Sequence, residues 1–334
     1  VAISAAGTSE DSTSDIVDQA AGTPGPETDP EVSVIGRAFD PIRQSLLRTL
    51  TNEDESPPEW VSKLERGDDG GYFPQSSAAW AVHGDLPTIV AGIRALLTQA
   101  LHPGALAGVH DHSRYREDPF GRLAGTIRWI FTVTYGSTDA ADSATGWVQH
   151  IHQRVRGVYP GSDGEPIAYA ADDPDLLRWV HLAFTDAFLG AHLVWGARPI
   201  PGGPDAYVAE WAKAGEMMGV AAPPRTHAEL RAQLREYLDA GILRYDERVA
   251  DVVRFLRRPP LPRALKPTYP LLFRGAVASM DDEYRALLGL PTPRGPVRLP
   301  TALVLDATGR LIGRTTGAEV SALARLERLG LTRP

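Results

Sequence analysis

Residues 118–157 read DPFGRLAGTIRWIFTVTYGSTDAADSATGWVQHIHQRVRG. The Asp118-Pro119 pair opens a helix. An acidic cap precedes a proline at the first helical position, where a missing N–H costs nothing. Leu123, Ile127, Ile130 and Phe131 then recur at helical spacing as far as Tyr135, and Gly136 stops the run. Ser137 or Thr138 caps a second helix, predicted to end at Gly157. Polar residues interrupt both apolar patterns. Arg122 and Thr126 lie four apart on one face of the first helix, with Trp129 three residues on. In the second, His152 and Arg156 are four apart, and His150 points about 200° away from His152.

The same punctuation continues outward. Residues 85–101 form an apolar helix that ends before Pro103. Asp173-Pro174 starts a long helix that closes near Gly196, and Thr226-His-Ala-Glu229 is a capping box. Residues 205–218, 227–240, 246–257 and 281–289 read as further helices. Prolines at 259, 260, 262, 267 and 270 mark a meandering connection. The final segment, 301–314, reads as a small β-hairpin around Asp306–Gly309 that must pack on the helices. There is no internal repeat. The expectation is an all-α chain: a mobile acidic arm over 1–31, one multi-helix domain over 32–295, and a C-terminal extension over 296–334 packed on it.

Composition narrows the chemistry. The chain has 334 residues, 43% hydrophobic and 23% charged, which suits a soluble protein that buries its core without staples. A net charge of -8 argues against nucleic acid, which needs a concentrated basic face. Cysteine is absent, which removes disulfides, cysteine-ligated zinc, iron–sulfur clusters and thiolate-ligated haem. Any metal must therefore be held by the nine histidines and the carboxylates. No stretch reaches the roughly 18 apolar residues of a membrane span. Nothing at the start reads as a signal peptide, so a cytoplasmic protein is expected.

Each polar feature has a bland and a sharp reading. A buried Arg122 is either a structural ion pair or the polar wall of a pocket. A lone helical histidine such as His152 is either a satisfied side chain or a ligand. His181, Thr185, Phe188 and His192 line one face of the 173–196 helix, either around a cavity or as a hydrogen-bonded core network. His102 suits the end of its helix, where the dipole favours an imidazole. The His110-Asp111-His112 run lacks a third close ligand, which weakens a non-haem metal hydrolase built on His102, His110 and His112. The HExxH, GxSxG and GxGxxG signatures are missing, as are the Glu-x-x-His pairs of di-iron bundles.

The ordered segments LLTQALHPGALAGVHDHS (96–113), YREDPFGRLAGTIRWIFTVTYGSTDAAD (115–142), HQRVRG (152–157), DPDLLRWVHLAFTDAFL (173–189), YVAEWAKAGEMMGV (207–220) and PRTHAELRAQL (224–234) together resemble the MpaB-type oxygenase family, whose catalytic domain is shared with the latex-clearing rubber oxygenases. The resemblance spans roughly residues 35–290. It implies haem b between helices, with His152 as the proximal iron ligand and Arg156 supporting the haem. It also implies Arg122 and Thr126 on the distal side and His181 near the haem. Gly125 stands where the rubber enzymes carry a lysine, and glycine can neither accept nor relay a proton. The expected activity is haem-dependent oxidation of a hydrophobic or aromatic small molecule with O₂ or peroxide, as an oxygenase, peroxygenase or peroxidase. The alternative is a haem-free helical binding or scaffold protein whose buried His and Arg are structural.

Overall fold

A computed structural model describes residues 58–112, 119–263, 265–312 and 316–332, with backbone alone at 119–123 and 310–312. All of them belong to one compact unit, residues 41–334. The expected acidic arm, 1–31, lies outside the described residues. Helices α1 to α4 span Glu59–Ser62, Ala78–His83, Thr88–Gln99 and Pro103–His112. They are followed by α5 (Pro119–Tyr135) and α6 (Thr138–His152). Strands β1 (Arg156–Pro160) and β2 (Pro166–Ala170) come next, and then α7 (Pro174–Trp195) and α8 (Gly203–Met218). The chain continues through α9 (His227–Asp239), α10 (Glu247–Arg257), α11 (Tyr269–Ala278), α12 (Asp282–Leu287), α13 (Arg298–Ile312) and α14 (Gly317–Arg328). The expected all-α architecture holds, with one antiparallel strand pair among the described residues.

The most extensive helix pair is α3 against α7. Helix α7 starts as predicted, with the Asp173 side chain accepting from the Asp175 N–H and Pro174 at the first position. Its inner face carries Trp179, Leu182, Ala183 and Leu189, all buried. Burying such side chains is worth about 1.5–3 kcal/mol each for the larger ones. Gly190 lets the guanidinium of Arg94 pass close to the α7 backbone, where a β-carbon would collide with it. The buried Arg94 donates to Asp186 Oδ2 at 2.5 Å and to the carbonyl of Ser279. Asp186 Oδ1 in turn lies 3.7 Å from Arg231 on α9. Two buried charges are thereby paired rather than stranded.

Two sequence expectations are overturned. Helix α6 ends at His152, not Gly157. Arg156 and Gly157 open β1, which pairs in the register Arg156↔Ala170 and Gly157↔Tyr169. Gly157 therefore does not stop a helix. The Tyr169 ring lies 2.8 Å from where its β-carbon would stand, and only glycine accepts that. The predicted C-terminal hairpin is instead helix α13. There Thr301 is fully buried against α11, with its methyl 2.7 Å from where a β-carbon on Gly275 would sit, and its hydroxyl donates to the Leu271 carbonyl at 3.3 Å. Packing at Thr301 and Leu305, four residues apart, overrides the β-propensity of Leu303-Val304-Leu305.

Candidate functional site

The α5–α6 hairpin turns at Gly136–Ser137, with Ser137 Oγ accepting from the Ala140 N–H at 3.3 Å. One cross-helix bond sets its register: Trp129 Nε1 donates to Thr145 Oγ1 at 3.2 Å. Arg122 precedes Trp129 by seven residues, and His152 follows Thr145 by seven. Seven residues are close to two helical turns, about 10.5 Å of rise. Both positions therefore return to the faces that carry the Trp129–Thr145 bond, at the end of the hairpin far from the turn. Thr126 lies between Arg122 and Trp129 on the same face of α5 and is half-buried. The Arg122 side chain lies outside the described residues.

The far end is loosely covered. Gly125 is exposed, and a β-carbon there would meet nothing within 4 Å; the same holds at Gly146, beside Thr145 at the level of the cross-helix bond. Trp147 is 65% exposed and Ile151, four residues on, is also exposed. His152, half-buried, is the last residue of α6. Arg156 does not stand one helical turn beyond it, as the sequence suggested. From the start of β1 its exposed guanidinium pairs with Asp172 at 3.0 Å. The Arg156 carbonyl accepts from His112 Nε2 at 3.0 Å, which ties the strand to α4.

His181 is buried on α7 with its ring against α8, and a β-carbon on Gly215 would fall 2.9 Å from Cε1. Its Nε2 has no hydrogen-bond partner. Burial pushes its pKa down to about 4, so the imidazole is neutral at ordinary pH. The rest of the stripe splits between roles. Thr185 Oγ1 donates back to the His181 carbonyl at 2.7 Å, Phe188 packs on His83, and His192 Nε2 donates to the Arg198 carbonyl at 2.8 Å. Those three belong to a core network, and His181 alone of the four keeps a side-chain nitrogen aimed into the fold with neither a hydrogen bond nor a carboxylate beside it.

The remaining histidines do not converge. His102 is not poised on a helix C-terminus. Its Nδ1 accepts from the N–H groups of Gly104 and Ala105, capping the start of α4, and burial lowers its pKa. His110 pairs with Asp111 at 2.9 Å. Among the described residues no three His, Asp or Glu side chains are grouped to hold a bare metal ion.

Sequence reading missed the most enclosed polar cluster. His83 on α2, Thr134 on α5 and Tyr207 on α8 are all buried and meet in the core. Thr134 Oγ1 donates to the Ile130 carbonyl at 2.7 Å, so it accepts from His83 Nδ1–H at 2.8 Å. That fixes the tautomer, and His83 Nε2 accepts from the Tyr207 hydroxyl at 2.9 Å. These residues are 51 and 124 positions apart, and no local pattern links them.

The chain is similar to one described family over this whole region. Residues 80–326 match the model of the ER-bound oxygenase mpaB/B'/rubber oxygenase catalytic domain, well over half of the chain. The chain belongs to this family. The oxygenase domain runs from α2 into α14, so it takes in the C-terminal segment that sequence reading had placed outside the shared core. No curated protein and no solved structure matches the chain. No helix among the described residues of this oxygenase-family chain is long and apolar enough to cross a membrane.

Proposed function

We propose that the protein is a haem b-dependent oxygenase acting on a hydrophobic or aromatic organic molecule, with His152 as the proximal iron ligand. The observation that carries this reading is the register of the α5–α6 hairpin. Moving outward from the Trp129–Thr145 bond, the same end of the hairpin holds a histidine on one helix and the Arg122–Thr126 face on the other. The donor set suits a macrocycle. The chain has no cysteine and the described residues hold no cluster of three ligands, which favours a group that needs one imidazole and brings its own four nitrogens, as a porphyrin does.

Other residues fit such a group. Gly125, next to Thr126, presents no side chain that would crowd a flat ligand beside α5. Exposed Ile151, the residue before His152, offers apolar surface at this end of α6. Arg156, now paired with Asp172, can exchange that partner for an anionic edge group. The neutral, buried His181 has a nitrogen free to hydrogen-bond within the fold. When bound, haem supplies the iron at which O₂ or peroxide is activated. Arg122 would set positive charge on the opposite side from His152, and the Thr126 hydroxyl would donate a hydrogen bond there. Gly125 supplies no base, and the Thr126 hydroxyl would be the nearby group able to hand on a proton.

The test is spectroscopic. Protein reconstituted with haem is expected to show a strong Soret band that His152→Ala shifts or removes. Failure to bind haem, or an unchanged spectrum in His152→Ala, sinks the reading and returns the haem-free scaffold.

A further inference from the structure

The His83–Tyr207 pair is joined by its ring contacts to the α5 face that carries Thr126. Trp129 stands three residues beyond Thr126 on that face and is half-buried. Its ring meets Trp211 on α8 at 6.2 Å between centroids, edge to face. Trp211 meets the His83 ring at 4.4 Å, and His83 meets the Tyr207 ring at 5.6 Å, both again edge to face. Trp211 and Tyr207 are also neighbours four apart on α8. Three oxidisable rings, Trp129, Trp211 and Tyr207, thus run inward from the proposed reactive face, with the His83 imidazole packed between the last two.

That phenol is wired for proton-coupled oxidation. Its O–H points at a neutral imidazole nitrogen, while the other ring nitrogen is already committed to Thr134. We propose that Trp129, Trp211 and Tyr207 form an electron-transfer chain, with Tyr207 as a redox-active tyrosine and His83 as its proton acceptor. The oxidant is a high-potential one-electron acceptor arising at the oxygenase face. One electron passes from Trp129 to that acceptor, one from Trp211 to oxidised Trp129, and one from Tyr207 to oxidised Trp211. As Tyr207 is oxidised its O–H bond breaks and the proton forms an N–H bond at His83 Nε2. The result is a neutral phenoxyl radical beside an imidazolium whose Nδ1–H stays on Thr134. Reduction returns the electron and the proton by the same route. An oxidised phenol is a far stronger acid than an imidazolium. The proton therefore transfers even though burial holds His83 well below its ordinary basicity, at a pKa of about 3. Such a chain drains a stranded oxidant into the core when no substrate is bound.

The inference rests on the oxygenase reading only for where the natural oxidant arises, so the test supplies one from outside. Full-length protein is mixed with a ruthenium(II) polypyridyl and persulfate, flashed to generate ruthenium(III), frozen, and examined by electron paramagnetic resonance. A long-lived neutral tyrosyl signal is expected, with a hydrogen-bonded proton coupling that exchanges in D₂O. Tyr207→Phe should remove it. Trp129→Phe and Trp211→Phe should each cut its yield about tenfold, the effect of raising a transfer barrier by about 1.4 kcal/mol. The inference is overturned if the long-lived signal never forms, survives Tyr207→Phe, or keeps its yield in both tryptophan variants. If Tyr207→Phe does not fold, the tryptophan variants decide alone. A protein that gives the signal yet binds no haem loses the cofactor reading and keeps this one.

Discussion

The two ends of the α5–α6 hairpin are built on opposite principles. The turn end is held by close backbone approaches and a buried charge. Arg325 from α14, fully buried, donates to the Tyr135 carbonyl at 2.8 Å and the Leu64 carbonyl at 2.9 Å. It thereby caps the last turn of α5 with a cation, where the helix dipole favours one. Asp69 accepts from the N–H groups of Thr138 and Gly71 at the start of α6, and its bonds to Thr138 hold its carboxyl below the usual range. Gly71, at φ 78°, lies so close to the Gly136 carbonyl that a β-carbon would overlap it. The half of the hairpin from the Trp129–Thr145 bond outward has the reverse character: glycines facing open space, an exposed tryptophan, and the histidine and arginine the sequence singled out. One end is committed to stability, which leaves the other free to be shaped by a ligand.

The widest test of this contrast exchanges function for stability. His152→Ala should abolish haem binding and cut activity more than about 100-fold, beyond the 10–100-fold typical of groups one step from a metal. The urea midpoint of the cofactor-free protein should barely move. Arg325→Met should do the opposite. Two carbonyls lose a buried donor, a cost of about 2–6 kcal/mol at about 1–3 each, readable in urea unfolding. The haem spectrum should stay unchanged, and a spectrum that shifts would mean that the two ends are coupled.

The glycines sharpen the same point. Gly71→Ala meets both a positive φ and a backbone oxygen, and should cost about 1–3 kcal/mol in chemical denaturation. Gly125→Ala meets nothing and removes a flexible residue from a helix, so a gain of up to about 1 kcal/mol is expected. Equal losses at both positions would break the contrast.

Acid titration probes the buried side. His83, which bonds Thr134 one residue from the end of α5, has its pKa lowered to about 3, and His181 to about 4, both chiefly by burial. The unfolded chain protonates both near pH 6.5, so stability is full above that pH and declines as pH falls toward 4. The slope is at most about 1.4 kcal/mol per pH unit for each histidine. A flat urea midpoint between pH 6.5 and 4.5 would show that water reaches these rings.

How much of this was legible depended on whether the signal was local. The Asp118-Pro119 start, the Gly136 stop, the Ser137 cap and the Asp173-Pro174 start each rest on one residue's own chemistry, and α5 and α7 lie where those signals put them. The early end of α6 was also written in the chain. Val158, Tyr159, Ile167 and Tyr169 flank a Gly-Ser-Asp-Gly turn, a hairpin pattern that the His152/Arg156 spacing obscured. Helix α13 was not legible, because contacts with α11 decide it. Helix α11 was hidden in a proline-rich run where Pro270 in fact sits in its first turn. At the site, the pairing of α5 with α6 could be read ahead. The His83–Thr134–Tyr207 cluster could not, since only the packing of α2, α5 and α8 brings those three residues together.

The Trp129–Thr145 bond gives the hairpin the character of a vernier. Arg122 and His152 are read off against each other by counting residues from that one mark. Many substitutions between Thr145 and His152 would leave the reading intact. One inserted residue would swing His152 about 100° around α6, so the length of this segment constrains it more tightly than the identity of its side chains.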